Sequence, residues 1–453
     1  MVVMTIKKKQ IQPVIVLLVI LLLLVQFAVN LYALKALYGD GAYRLFDLLA
    51  QRELITFDKP RFFALLAPQI PVYLAVLSGV KDLNILIYTW NFGVYAFPTF
   101  FWLVAFFVQQ KTFYFWIILL GYSVTFLTCG FFIMGEFNLS YATAACAFSL
   151  LTKTDIRIHH LALLVMSSLI LALSYESTVF LGPLLFIMAA YQIRTQNLKD
   201  RTHYKVLLAI SASIFAGGTV VSALSILRPR DPANLESALN LTELIAGKHF
   251  FLLALALAVF ALFLRRYTKS RLIAFFIILT LSLFSIFNWD ELATDVMTYR
   301  WRALSGVLLF LVLTHGFLHF IRSQKDSDSG TMLSFPSISS SLTLFLILLT
   351  LNFTESVKYV SWLKIFESIS IQSSEWQHID EIAGTETEKN LVAAYAWGWS
   401  NPSLSGLLRG NLDAGILRPT SSIGSWQPFD PLELESNPLL EYSKESKLLV
   451  FSD

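Results

Sequence analysis

Along the chain, long apolar runs alternate with short polar breaks, and amphipathic stripes are scarce. Runs of roughly membrane-spanning length cover residues 11–37, 85–109, 113–133, 137–151, 159–174, 178–192, 205–226, 249–264, 271–288, 302–321 and 342–357. Each predicts a helix, and together they predict an all-α polytopic membrane protein with about eleven transmembrane spans. A membrane β-barrel would show short alternating segments instead, and these are absent from the sequence. Segment 62–80 is also apolar, but it holds Pro68 and Pro71, which would break a helix in mid-bilayer.

Loop charges decide how that segment counts. Lys7, Lys8 and Lys9 precede the first run. That run is too long for a signal-peptide core and lacks a clear small-residue cleavage site, so it reads as a retained anchor with a cytoplasmic N-terminus. If 62–80 lies on or dips into the membrane, then Lys111, Lys153, Arg157, Arg194, Lys199, Arg201, Lys205, Arg265, Arg266, Lys269, Arg271, Arg322 and Lys325 all become cytoplasmic. The positive-inside rule then holds throughout. A spanning 62–80 would put the Arg265–Arg271 cluster outside. The non-spanning reading therefore gives a long first external loop, about 38–84, with short interfacial helices. It also gives a Ser-rich cytoplasmic linker over 323–341, and an odd number of spans leaves residues 358–453 outside as a small C-terminal domain. Residues 1–357 form the transmembrane module.

Composition agrees with this frame. Of 453 residues, 56% are hydrophobic and only 14% charged, where soluble domains carry about a quarter. The net charge of +3 is sorted by topology and does not suggest a nucleic-acid partner. Cys129 and Cys146 both sit inside apolar runs, so there is no disulfide framework or metal-type spacing. No H-E-x-x-H or Walker-type glycine loop supports a hydrolase or ATPase reading.

On this topology the outer face collects Asp40, Asp47, Glu53, Asp58, Glu136, Glu176, Glu243, Asp290, Glu291 and Asp295. Residues 39–60, "GDGAYRLFDLLAQRELITFDKP", place an acid directly after the first span, then a short helix, then an acid-Lys-Pro element. This stretch, with the topology, resembles the GT-C glycosyltransferases, polytopic enzymes that use polyprenyl-phosphate-linked sugar donors. Within that superfamily it is most similar to the protein mannosyltransferase and aminoarabinose transferase branch. Arg61 departs from the branch, which usually has a second proline there, and the W-W-D-Y-G signature of oligosaccharyltransferases is missing. The resemblance implies transfer of a sugar from a polyprenyl-phosphate donor to an envelope acceptor at the outer face of a bacterial plasma membrane. It implies Asp40 as the catalytic acid and Glu136 as a second-loop acid that helps to bind metal or acceptor. A divalent metal ion is compatible with it, with Asp58 as candidate ligand.

The chemistry can be weighed separately. Transfer from a lipid phosphate to a hydroxyl needs a base for the acceptor and positive charge for the departing phosphate. Asp40 can be the base, the N-cap of a helix over 42–51, or both. Glu136 can act on substrate or stabilise a helix N-terminus. Lys59, Arg61, Arg300 and Arg302 can hold the donor phosphate, or snorkel and anchor at the interface. Glu176 reads as a solvated turn acid. Asp47, one or two turns beyond Asp40, reads as its silent neighbour. The rival classes are a transporter, a non-catalytic assembly protein and a polymerase or ligase of lipid-linked glycans. A transporter predicts ionisable residues in mid-span, whereas the charges here gather at helix ends.

Overall fold

The computed structural model describes residues 8–51, 53–56, 59–127, 136–153, 155–195, 202–228, 295–325, 338–379, 400–410 and 414–417. Within them the chain is mostly helical, an architecture consistent with an all-α membrane protein. The helices are α1 (Lys8–Tyr32), α2 (Asp40–Gln51), α3 (Phe62–Leu77), α4 (Leu83–Gln109), α5 (Tyr114–Tyr122), α6 (Glu136–Leu151), α7 (Ile158–Ala172), α8 (Thr178–Thr195), α9 (Thr202–Leu227), α10 (Asp295–Lys325) and α11 (Ile338–Gln372). A short α12 (Asn401–Arg409) lies between strands β1 (Trp376–His378) and β2 (Gly415–Leu417).

Among the described residues, six helices are long and apolar enough to cross a membrane: Pro13–Tyr32, Leu83–Gln109, Thr178–Thr195, Thr202–Leu227, Ser305–Gln324 and Leu344–Gln372. Three further expected spans are apolar but shorter: Tyr114–Leu127, Phe137–Leu151 and Ile158–Ala172. At ~1.5 Å per residue these fall below the ~30 Å of a hydrocarbon core. The expected spans at 249–264 and 271–288 lie outside the described residues.

The helix borders have local causes. The first run ends at Tyr32 rather than at 37, because Leu34 is left-handed (φ 52°) and the chain turns into a 3-10 helix at Lys35–Leu37. That turn is pinned to α4: Ala36 N donates to Asn91 Oδ1 (2.9 Å) and Trp90 Nε1 donates to Ala36 O (3.1 Å). Deeper in the bundle, the Gln26 amide donates to Asn30 Oδ1 (2.9 Å) and to Asn352 Oδ1. Asn352 Nδ2 in turn donates to Leu127 O (3.0 Å), the last carbonyl of the π-helix Ser123–Leu127 that continues α5. In an apolar surrounding such amide bonds bind helix to helix, and here they join α1, α5 and α11.

α3 settles beside α4. The two form an antiparallel hairpin in which a side chain at Gly93 would meet the Pro68 backbone. The start of α3 is fixed at the α7–α8 turn, where Phe63 N donates to Leu173 O (2.9 Å). The far end of α4 is elsewhere: Gln109 Nε2 donates to Ser149 O (2.6 Å) and Thr152 Oγ1 (3.0 Å), at the opposite end of α6 and α7. The start of α3 and the far end of α4 therefore lie at opposite ends of the α6–α7 pair. In a background without Cys129 and Cys146, single cysteines at the exposed positions Glu53, Ser78 and Gln372 are expected to react with an impermeant maleimide from outside. Those at Lys111 and Asp155 are expected to be protected. Protection at Ser78 alone among the first three would mean that α3 crosses.

α11 runs without a break through 357, where the sequence separates module from tail, and ends at Gln372. Its extension carries Tyr359, Trp362, Leu363 and Phe366 as a buried stripe. Tyr359 OH donates to Leu34 O (3.3 Å), and Tyr38 packs edge-on against Tyr359 and Trp362. β1 and β2 pair in parallel, Trp376 opposite Gly415. Arg409 donates to Ser370 O and, at 2.9 Å, to Ser373 O, and so satisfies carbonyls that the end of α11 leaves open. α12 packs on α2. The described part of the tail thus shares an end of the bundle with the first loop.

Candidate functional site

The local sequence Gly39-Asp40-Gly41 explains how Asp40 is held. Gly39 takes a positive φ of 56°, which suits a residue without Cβ. A Cβ at Gly41 would lie 1.7 Å from Ala36 O, the carbonyl already bound by Trp90. Only a glycine lets the first turn of α2 approach the 3-10 turn this closely. Asp40 follows as the first residue of α2 rather than as its N-cap, partly exposed, in the turn where an anion is favoured by the helix dipole.

Down the helix, Tyr43, Arg44, Asp47 and Gln51 share the face of Asp40, since positions three, four and seven apart line up. Arg44 and Asp47 are 8% and 3% exposed. Asp47 is therefore no silent surface neighbour. Gln51 Nε2 donates to its Oδ1 (2.5 Å), Tyr43 donates to it, and Arg44 lies close by. Burial raises the Asp47 carboxyl above the usual range, against the opposing pull of Gln51, Arg44 and Tyr43. Burial and the Asp47 charge together push the Tyr43 hydroxyl up to about 12. Lys35, in the 3-10 turn under α2, is a further buried cation. The 40–43/44–47–51 spacing is a usable signal for this stripe; its burial is not visible in that spacing.

The other candidate residues meet around the α7–α8 turn. Arg61 donates through Nε (2.9 Å) and Nη2 (2.7 Å) to Glu176 Oε1, and its guanidinium lies 5.6 Å from the centre of the Tyr175 ring. Glu176 is therefore not a solvated turn acid: both partners are 23% exposed. The Tyr175 ring packs against Phe137 and Tyr141, 6.3 and 6.5 Å between centres. Phe137 follows Glu136, which opens α6. Gly306 of α10 abuts Tyr141, and Gly316 abuts Phe148, so α10 runs parallel to α6. The turn of α10 that carries Arg300 and Arg302 consequently lies at the Glu136 end. The side chains of Lys59, Glu136, Arg300 and Arg302, and the whole of Asp58, lie outside the described residues.

Segment 53–61 connects the two groups, and Gln69 holds it: its Oε1 accepts from Ile55 N (2.7 Å) and its Nε2 donates to Ile55 O (2.8 Å). Among the described residues no group of three or more His, Cys, Asp or Glu gathers to hold a metal ion. The arrangement offers one half-exposed carboxylate at the bundle end, cations nearby, and a paired arginine over an aromatic floor. Compared with family models, curated proteins and solved structures, the chain matches none of them.

Proposed function

We propose that this protein is an integral membrane glycosyltransferase that moves a sugar from a polyprenyl-phosphate donor to an envelope acceptor. The observation that carries the reading is Asp40: a partly exposed carboxylate fixed by two glycines at the head of α2, with buried cations on the same element and the turn before it. In the proposed step the Asp40 carboxylate takes the proton of the acceptor hydroxyl, whose oxygen attacks the anomeric carbon. The bond from that carbon to the phosphate oxygen breaks, the electron pair leaves with the phosphate, and the anomeric centre inverts. Positive charge on Lys59, Arg61, Arg300 and Arg302 would steady the leaving phosphate. Glu136 would orient the acceptor, and transfer would take place at the outer face of the plasma membrane.

Mass spectrometry of lipid-linked sugars and envelope glycans, with and without the protein, tests the reading. One charged polyprenyl carrier is expected to accumulate in its absence, together with loss of one glycan modification. Unchanged pools of both would sink the proposal.

A further inference from the structure

We infer that Glu176 occupies the place of the carrier phosphate on Arg61, and that the phosphate of a polyprenyl lipid carrier displaces it. The inference rests on the donor class proposed above and adds an internal anion that competes for the same guanidinium.

Three observations carry it. The pair is reachable, because both side chains are 23% exposed, so separating them costs far less than breaking a buried pair. The pair is also lopsided: Nε and Nη2 of Arg61 converge on the single oxygen Oε1 of Glu176. A guanidinium fork is better satisfied by two oxygens in parallel, the arrangement a phosphate offers.

Finally, the pair is not what holds the two segments together. Phe63 N binds Leu173 O directly (2.9 Å). The α7–α8 turn has its own bonds: Thr178 Oγ1 donates to Leu171 O (2.8 Å) and Val179 N to Glu176 O (3.0 Å). The Glu176 side chain can swing away while its backbone stays in place. Arg61 itself stands at the N-terminal end of α3, with no acidic residue in the first turn, where the helix dipole adds to its attraction for an anion. With its guanidinium already seated over Tyr175, Arg61 keeps one geometry whether its partner is Glu176 or phosphate. In the resting protein the carboxylate neutralises a charge that would otherwise recruit any anionic headgroup.

The test is binding of a polyprenyl monophosphate to the purified full-length protein, measured by native mass spectrometry. Inorganic phosphate and phosphatidylglycerol serve as comparison ligands. Glu176→Gln removes the competitor and is expected to tighten polyprenyl monophosphate binding by about two- to fivefold, the worth of a partly exposed ion pair. Arg61→Gln is expected to weaken it by about 10- to 100-fold. Arg61→Lys, which keeps the charge without the fork, is expected to weaken it too and serves where the glutamine variant fails to accumulate. An unchanged or weaker affinity in Glu176→Gln overturns the inference, because a structural pair would lose binding from either side. Full binding by both arginine variants also overturns it, while the donor class stands. Equal binding of phosphatidylglycerol overturns the carrier assignment and makes the pair a headgroup contact; equal binding of inorganic phosphate makes it an anion site without lipid selection. Failure of the wild type to bind any polyprenyl phosphate would remove the glycosyltransferase reading as well.

Discussion

Asp40→Asn is expected to reduce sugar transfer by ~10²–10⁴-fold, the usual contribution of a general base. The substitution keeps the shape of the side chain and removes its charge and its capacity to take a proton. Asp40 heads α2, and the exchange gives up a helix-dipole interaction of about 0.3–1 kcal/mol. Expression and thermal stability should therefore stay near wild type, and the two readouts separate chemistry from folding. The comparison substitution is Glu53→Gln, in the same loop but exposed, which is expected to leave transfer intact. Full activity in Asp40→Asn would mean that the carboxylate only completes a helix end, and the base would have to be sought at Asp58 or Glu136.

The parts of this molecule that were legible in the sequence are those governed by local chemistry. Apolar runs locate α4, α6, α7, α8 and α9 to within a few residues, because burial in lipid demands continuous apolar length. Pro68 and Pro71 predict a break in segment 62–80, yet both lie inside the continuous helix α3, which packs along α4. The continuation of α11 past 357, where the sequence sets the start of the C-terminal domain, is hidden by the polar residues that follow 357. Yet Tyr359, Trp362, Leu363 and Phe366 keep a helical spacing, a stripe that could have been seen. The Arg61–Glu176 pair could not: it joins residues 115 positions apart, and neither loop on its own announces the other. The same holds for Asp47, whose burial leaves no trace in the local pattern of α2.

Asp47 is where that difference has its largest consequence for stability. Asp47→Ala is expected to destabilise the protein by about 1–3 kcal/mol, because it leaves polar groups of Tyr43 and Arg44 in a buried setting without the carboxylate they share. Thermal unfolding in detergent measures the loss directly. Asp47→Asn, which still presents an oxygen to Tyr43 and Gln51, is expected to cost less than the alanine exchange. The pH dependence gives the sign of the burial effect. The folded protein binds the Asp47 proton more tightly than the unfolded chain, whose carboxyl has the ordinary value of 3.8. This group's contribution to stability is therefore greatest in acid, falls as pH rises from that value through the raised folded one, and is level above it. Asp47→Asn abolishes that decline. If the alanine variant unfolds at the wild-type temperature across the same pH range, the carboxylate anchors nothing, and its burial carries no energetic weight.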